Sequence, residues 1–157
     1  MDAVDRKQDN KSPGKLRIML VDDHPLFRAG LMNLLDMQDD MEVVGEVEDG
    51  AQAVEAAMRF KPDVVLMDIK MPGVGGIEAT RRLKQAMADI MIVVLTVSDE
   101  DHHLFEALKG GAQGYLLKSI KPEKLLDSLR GIMQGEQPFS PSIAAQIIKE
   151  FSSEMQR

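Results

Sequence analysis

Leu16-Arg17-Ile18-Met19-Leu20-Val21-Asp22-Asp23 is an apolar run closed by two adjacent carboxylates. The pattern returns along the chain. Val64-Val65-Leu66-Met67 ends on Asp68, Ile92-Val93-Val94-Leu95 on Thr96, and Gly114-Tyr115-Leu116-Leu117 on Lys118, while Met41–Val47 is a further run of the same kind. Short runs that are apolar on both faces predict the buried strands of a parallel sheet. Carboxylates at the ends of such strands are costly unless something positive meets them.

Helical spacing fills the intervals. The first helix is expected from Pro25, a good early-helix residue, with Leu26, Phe27, Gly30, Leu31, Leu34 and Leu35 on its buried face. The second runs from about Gly50 to Phe60, with Ala53, Val54, Ala57 and Met58 inward, and Lys61-Pro62-Asp63 stops it. The third follows Gly75-Gly76 and reaches about Met87, packing through Ile77, Ala79, Thr80 and Leu83. The fourth spans about Asp99 to Lys109 before Gly110-Gly111. The fifth runs from Pro122 to about Gln134 through Leu125, Leu126, Leu129 and Ile132. Five strand–helix alternations with right-handed crossovers predict an α/β fold, a doubly wound five-stranded parallel sheet with five flanking helices.

In such sheets ligands bind at the carboxyl ends of the strands. Asp22, Asp23, Asp68, Thr96 and Lys118 all fall at or just past such ends, and strand direction alone makes them converge. Three acids form a hard-oxygen cage suited to Mg²⁺. Asp22, Asp23 and Asp68 would hold the ion, and the backbone carbonyl of Lys70 would complete its sphere. Asp68 is the candidate nucleophile, because a carboxylate can attack phosphorus to give an acyl phosphate. Such transfer needs mainly positioning and charge neutralisation. Lys118 would pair with Asp68 at rest and with a phosphoryl oxygen afterwards, and Thr96 would hydrogen-bond another. His24, His102 and His103 lack a convincing metal arrangement, and because the neighbours His102 and His103 cannot both face one way on a helix, solvent-facing histidine is expected.

Bulk properties bound the rest. The chain has 157 residues, 44% of them hydrophobic and 29% charged, with a formal net charge of −7 and no cysteine. That allows one domain with a core and excludes disulfides and zinc–thiolate sites. No apolar stretch approaches the roughly 20 residues of a membrane span, and no signal-peptide core opens the chain. Without a basic stripe, an acidic chain is not a nucleic-acid binder by itself. Its twelve methionines are read as core filler. Residues 1–14 are polar and read as a disordered tail. Past Gly135-Glu136-Gln137-Pro138 comes a linker, 136–157, with a connector helix over Pro141–Phe151 whose Ile143, Ile147, Ile148 and Phe151 share a face. Periodicity leaves open whether that face packs on the domain or stays exposed.

These residues carry a resemblance. Val-Asp-Asp-His-Pro (21–25), Leu-Met-Asp-Ile-Lys-Met-Pro-Gly (66–73), Val-Leu-Thr-Val-Ser (94–98) and Gly-Tyr-Leu-Leu-Lys (114–118) together resemble the receiver domain of two-component response regulators. His-Pro-Leu-Phe-Arg-Ala-Gly-Leu (24–31) and the tail from Pro138 to Ile148 look like the LuxR/NarL-type subfamily. The resemblance covers residues 15–135 and implies a flavodoxin-like receiver fold with strand order 2-1-3-4-5. It implies a phosphoryl group passed by a sensor histidine kinase to Asp68 in the presence of Mg²⁺, in the cytoplasm. Thr96 would then move toward that group and Tyr115 would turn inward, so both act as switch residues. It further implies phosphorylation-dependent homodimerisation, through the fourth-helix face or the first and fifth helices. Control of transcription is expected through a helix-turn-helix DNA-binding domain that these residues do not encode.

Two departures from the family pattern stand out. Ser119 follows Lys118 where many receivers have proline, which puts a cis-proline there in doubt. Val97 is bulky where many receivers carry a small residue, and is expected to narrow access to Asp68. Lys70 and Ser98 flank the site and are expected to tune the lifetime of the acyl phosphate. The reading is a phosphoacceptor switch rather than an enzyme, with only self-catalysed transfer and slow autodephosphorylation. A stand-alone receiver signalling by protein contact is the alternative. An aspartate-nucleophile phosphatase is disfavoured because such enzymes commonly place their two acids one residue apart on one strand. A flavin-binding protein is disfavoured because Asp-Asp-His-Pro would repel a phosphate.

Overall fold

Strand β1 (Leu16–Val21) is buried at all six positions and lies inside the sheet, one strand in from its edge. The computed structural model describes residues 14–97 and 103–155. Strands β2 (Met41–Val47), β3 (Val64–Asp68), β4 (Met91–Thr96) and β5 (Gly114–Leu117) complete an all-parallel sheet of order β2-β1-β3-β4-β5. This is the flavodoxin-like order expected from the resemblance. The proposed tail, apart from Gly14, lies outside the described residues, as do Ser98, Asp99 and His102.

Strand alternation divides the core in two. Ile18, Leu20, Leu66, Val93 and Leu95 face helices α1 (Pro25–Asp36) and α5 (Pro122–Met133), meeting Leu31, Leu35, Leu125 and Leu129. Met19, Val21, Val65, Met67 and Ile92 face the other side, meeting Ala53 and Ala57 of α2 (Ala53–Phe60) and Ala79 and Leu83 of α3 (Gly76–Ala86). Helix α4 (Leu104–Lys109) closes this side with Leu104 and Ala107. Cover on both faces is why these strands are continuously apolar.

Some helical positions differ from the sequence expectation. On α1 the buried stripe is Arg28, Leu31 and Leu35, whereas Leu26 is 90% exposed and Gly30 is also exposed. Leu26 lies roughly half a turn from the centre of that stripe, so it cannot reach the sheet. On α2 the inward residues are Ala53, Ala56 and Ala57, and Met58 points out for the same reason. Residues Gly50–Gln52 form a 3₁₀ turn before α2, capped by Asp49, whose carboxylate accepts from the Gln52 amide at 3.0 Å.

The apolar run of β1 hides one charge. Arg17 is 2% exposed and donates to the carbonyls of Phe60 at 2.6 Å and Lys61 at 3.3 Å, while Glu42 lies 3.3 Å away. It thereby satisfies carbonyls left open at the end of α2. Lys61 itself ends that helix in the left-handed region, at φ 52°.

Beyond α5 the chain turns back along β5. The Tyr115 amide donates to Pro138 O at 2.9 Å and the Ser140 amide to Tyr115 O at 3.1 Å. The Leu117 amide donates to Ser140 Oγ at 3.0 Å. Residues 138–140 thus cover the edge of the sheet. Helix α6 (Pro141–Met155) then buries Ile143 fully and Ile147 partly, and leaves Ile148 and Phe151 exposed. The question left open by its periodicity therefore divides along its length: the first turns pack and the later ones face outward.

Candidate functional site

Register builds the site. Val21 of β1 pairs with Met67 of β3, so Asp22 and Asp68 emerge side by side. Thr96 pairs with Leu117, so Lys118 follows directly. The Lys118 amide donates to Thr96 O at 2.6 Å. Asp22, Asp68 and Thr96 are each at least 96% buried. Gly76 supports this arrangement from below. Its amide donates to Ile69 O at 2.9 Å, and a Cβ there would stand 2.1 Å from Asp68 O. No other residue lets α3 start this close to the Asp68 backbone.

Lys118 is the cation that the sequence called for. Its Nζ lies 2.8 Å from Asp22 Oδ2 and 3.4 Å from Asp68 Oδ2, and 4.6 Å from the centre of the Phe27 ring. Burial, and then the neighbouring Asp22 charge, push the Asp68 carboxyl up from 3.8 to about 6, against the pull of Lys118 and His24.

His24 is the residue that sequence reasoning set aside. Although its side chain is 58% exposed, its Nδ1 lies 2.9 Å from Asp22 Oδ1, 3.4 Å from Asp23 Oδ1 and 3.5 Å from Asp68 Oδ2. The sequence had offered no metal arrangement for His24, yet folding sets its ring against the acidic cluster. The backbone holds the ring in place, since the His24 amide also donates to Asp22 Oδ1 at 2.8 Å. The signal was its position, one residue past the acidic pair and immediately before the helix-starting proline. His103 matches the solvent-facing reading, with 44% of its side chain exposed. Arg28 was missed as well. It donates to the carbonyl of Asp22 and pairs with Glu46 at 2.8 Å, which ties down the loop carrying the acids.

Ligand atoms of Asp22, Asp23, His24 and Asp68 all lie within 4.8 Å of one another. Asp23 Oδ1 is buried without a hydrogen bond, while Asp22 Oδ2 and Asp68 Oδ2 share the single ammonium of Lys118. Buried, under-satisfied oxygens clustered in this way suit a bound cation. Lys70 is exposed in the loop two residues past Asp68. Tyr115 lies on β5 and is fully buried among Val94, Leu104, Ala107 and Ile143, so its ring is already inside in this conformation. Val97 is 68% exposed. No cis peptide bond occurs among the described residues, including the Ser119 loop. Nor is any described helix long and apolar enough to cross a membrane.

Comparison with known proteins places this geometry. The family model of the response regulator receiver domain matches residues 18–130. The transcriptional regulatory protein DegU of Brevibacillus brevis is 42% identical over 137 residues, covering 87% of this chain and 58% of DegU. The response regulator GacA of Pseudomonas viridiflava is 40% identical over 141 residues, covering 89% of this chain and 66% of GacA. The chain therefore spans about three fifths of the length of these curated relatives. A crystal structure of a LuxR-family two-component response regulator from Aurantimonas sp. SI85-9A1 superposes with a TM-score of 0.81 at 37% identity, covering 88% of this chain and 99% of that one. With its sheet order, its strand-end acids and these relatives taken together, the chain belongs to the response regulator receiver family, in its LuxR/NarL branch.

Proposed function

We propose that this chain is the phosphoacceptor switch of a two-component system, receiving a phosphoryl group on Asp68 from a sensor histidine kinase. The observation that carries the reading is Asp68 itself: a buried carboxylate beside Asp22, with the Lys118 ammonium 3.4 Å away. A bond forms between an Asp68 carboxylate oxygen and phosphorus, while the bond from phosphorus to the donor breaks and the donor keeps the electron pair. Asp22, Asp23, Asp68 and the carbonyl of Lys70 would hold Mg²⁺, which when bound neutralises charge on the transferred group. Lys118 shifts from the carboxylates to a phosphoryl oxygen, and Thr96 donates its hydroxyl to another. The chain then acts as a switch, not as a turning-over enzyme, because the product stays attached to the protein.

The new dianion favours one arrangement of Thr96, Tyr115 and Lys118 over another, which is a shift of populations. Tyr115 shares its backbone hydrogen bonds with Pro138 and Ser140, so a change at β5 reaches the connector helix directly. In the whole protein the connector would lead to a helix-turn-helix DNA-binding domain controlling transcription in the cytoplasm. Residues 1–14, 15–135 and 136–157 serve as tail, receiver and linker. Self-association on phosphorylation is assigned to α1 and α5. An apolar groove of about 340 Å³ lies between them, lined by Leu26, Phe27, Leu31, Leu34, Ile120 and Leu125, whereas α6 partly covers the α4 side.

The test is incubation with acetyl phosphate and Mg²⁺, read by intact mass. Wild type is expected to gain one phosphoryl group and Asp68→Asn none; equal labelling of both would refute the assignment. Sedimentation with and without beryllofluoride tests self-association, and an unchanged sedimentation coefficient would remove it.

A further inference from the structure

The Lys118 ammonium has one neighbour that is not polar. Its Nζ stands over the face of the Phe27 ring, 4.6 Å from the centroid. Its polar neighbours are Asp22 Oδ2 at 2.8 Å, His24 Nδ1 at 3.2 Å and Asp68 Oδ2 at 3.4 Å. Those three come from the strand ends, whereas the ring comes from α1, where it helps to line the groove against α5. Together they leave the Lys118 side chain only 9% exposed. An aromatic face attracts a cation through its quadrupole, more strongly where water is excluded. The next residue, Arg28, donates to the Asp22 carbonyl and fixes this turn of α1 against the acidic loop. The ring is thereby anchored to the same loop as the acids.

We propose that Phe27 is a positioning residue for Lys118, its ring holding the ammonium at the strand ends while the anionic partners of that ammonium exchange. A lysine head on a flexible four-carbon stem is otherwise free to turn into solvent. A third carboxylate in place of the ring would compete with a phosphoryl oxygen for the ammonium protons. The ring attracts the charge without taking a directed N–H bond, so it stays in contact as Asp68 and Asp22 give way. This rests on Asp68 being the phosphoacceptor.

The test replaces Phe27 by Leu and, site-specifically, by 4-fluoro- and 3,4,5-trifluorophenylalanine. Fluorine withdraws charge from the ring face with little change of shape, and circular dichroism checks folding. With acetyl phosphate at saturating Mg²⁺, the rate constant read by intact mass is expected to fall about fivefold in Phe27→Leu. It should fall stepwise with fluorination, the trifluoro form approaching Phe27→Leu. Mg²⁺ affinity by calorimetry should stay unchanged throughout, because Phe27 touches none of the acids. In lysine-labelled protein without Mg²⁺, the Lys118 ε-methylene signal should lie upfield through the ring current and lose that shift in Phe27→Leu. Fluorinated forms as fast as wild type, or a Mg²⁺ affinity that falls in parallel with the rate, would overturn the positioning role. A Lys118 signal unmoved by Phe27→Leu would remove the ring contact itself. A wild type that takes up no phosphoryl group would instead remove the phosphoacceptor reading, with the ring contact still decided by the methylene shift.

Discussion

Asp22 and Lys118, on the loops after β1 and β5, meet at 2.8 Å across the mouth of the sheet, and Asp68 is left with the longer contact of 3.4 Å to the same ammonium. One cation thus serves two buried carboxylates, and Asp68, the proposed phosphoacceptor, is the less neutralised of them.

Stability is therefore expected to depend on pH through Asp68. The unfolded carboxyl ionises near 3.8 and the folded one near 6. Between these values the folded chain holds a proton that the unfolded chain has released. Stability contributed by this group consequently rises as pH falls from above 6 to below 4, by on the order of 2–3 kcal/mol. Urea denaturation between pH 4 and pH 7.5 checks this. Asp68→Asn should be more stable than wild type at pH 7.5 and lose that advantage at pH 4. An Asn variant no more stable than wild type at pH 7.5 contradicts the assignment.

Arg17→Met keeps side-chain length but strips the guanidinium from the Phe60 and Lys61 carbonyls and from Glu42. Leaving these acceptors buried without a donor is expected to cost about 2–4 kcal/mol in equilibrium unfolding. A loss well under 1 kcal/mol would show that water replaces the guanidinium there.

Lys61→Gly should act in the opposite direction. Lys61 occupies the left-handed region at φ 52°, where a side chain is strained and glycine is not. The amide bond to Ala57 O and the Lys61 carbonyl both remain. A gain of about 1 kcal/mol is expected by chemical denaturation, and destabilisation would count against the strain argument.

Gly114→Ala probes the connector. The added Cβ would stand 2.8 Å from both Pro138 Cγ and Pro138 O. The strand-like pairing of residues 138–140 with β5 is expected to loosen, and amide exchange at Tyr115 and Ser140 to accelerate about tenfold or more. Unchanged protection at both amides would mean that the connector accommodates the methyl without leaving the sheet.

The apolar runs ending on Asp22, Asp68, Thr96 and Lys118 were enough to read a doubly wound parallel sheet and the convergence of those four residues from the chain. Strand polarity alone sends those residues to one edge of a parallel sheet. Other features had no local signature. Arg17 sits in the middle of an apolar run, and only the return of α2 beside β1 supplies the carbonyls that make its burial tolerable. Leu26 reads like its apolar neighbours, yet it faces out because the stripe of α1 is set by where the sheet lies. The first turns of α6 pack because Ile143 meets Tyr115 across the covered edge of β5. His24 differs again. The chain determined that an imidazole would follow two acids, but a ring of this kind turns about its own bonds, and its approach to all three carboxylates and Lys118 was decided only by folding. Order along the strands is a property of the chain, whereas contact across them depends on packing between segments far apart in it.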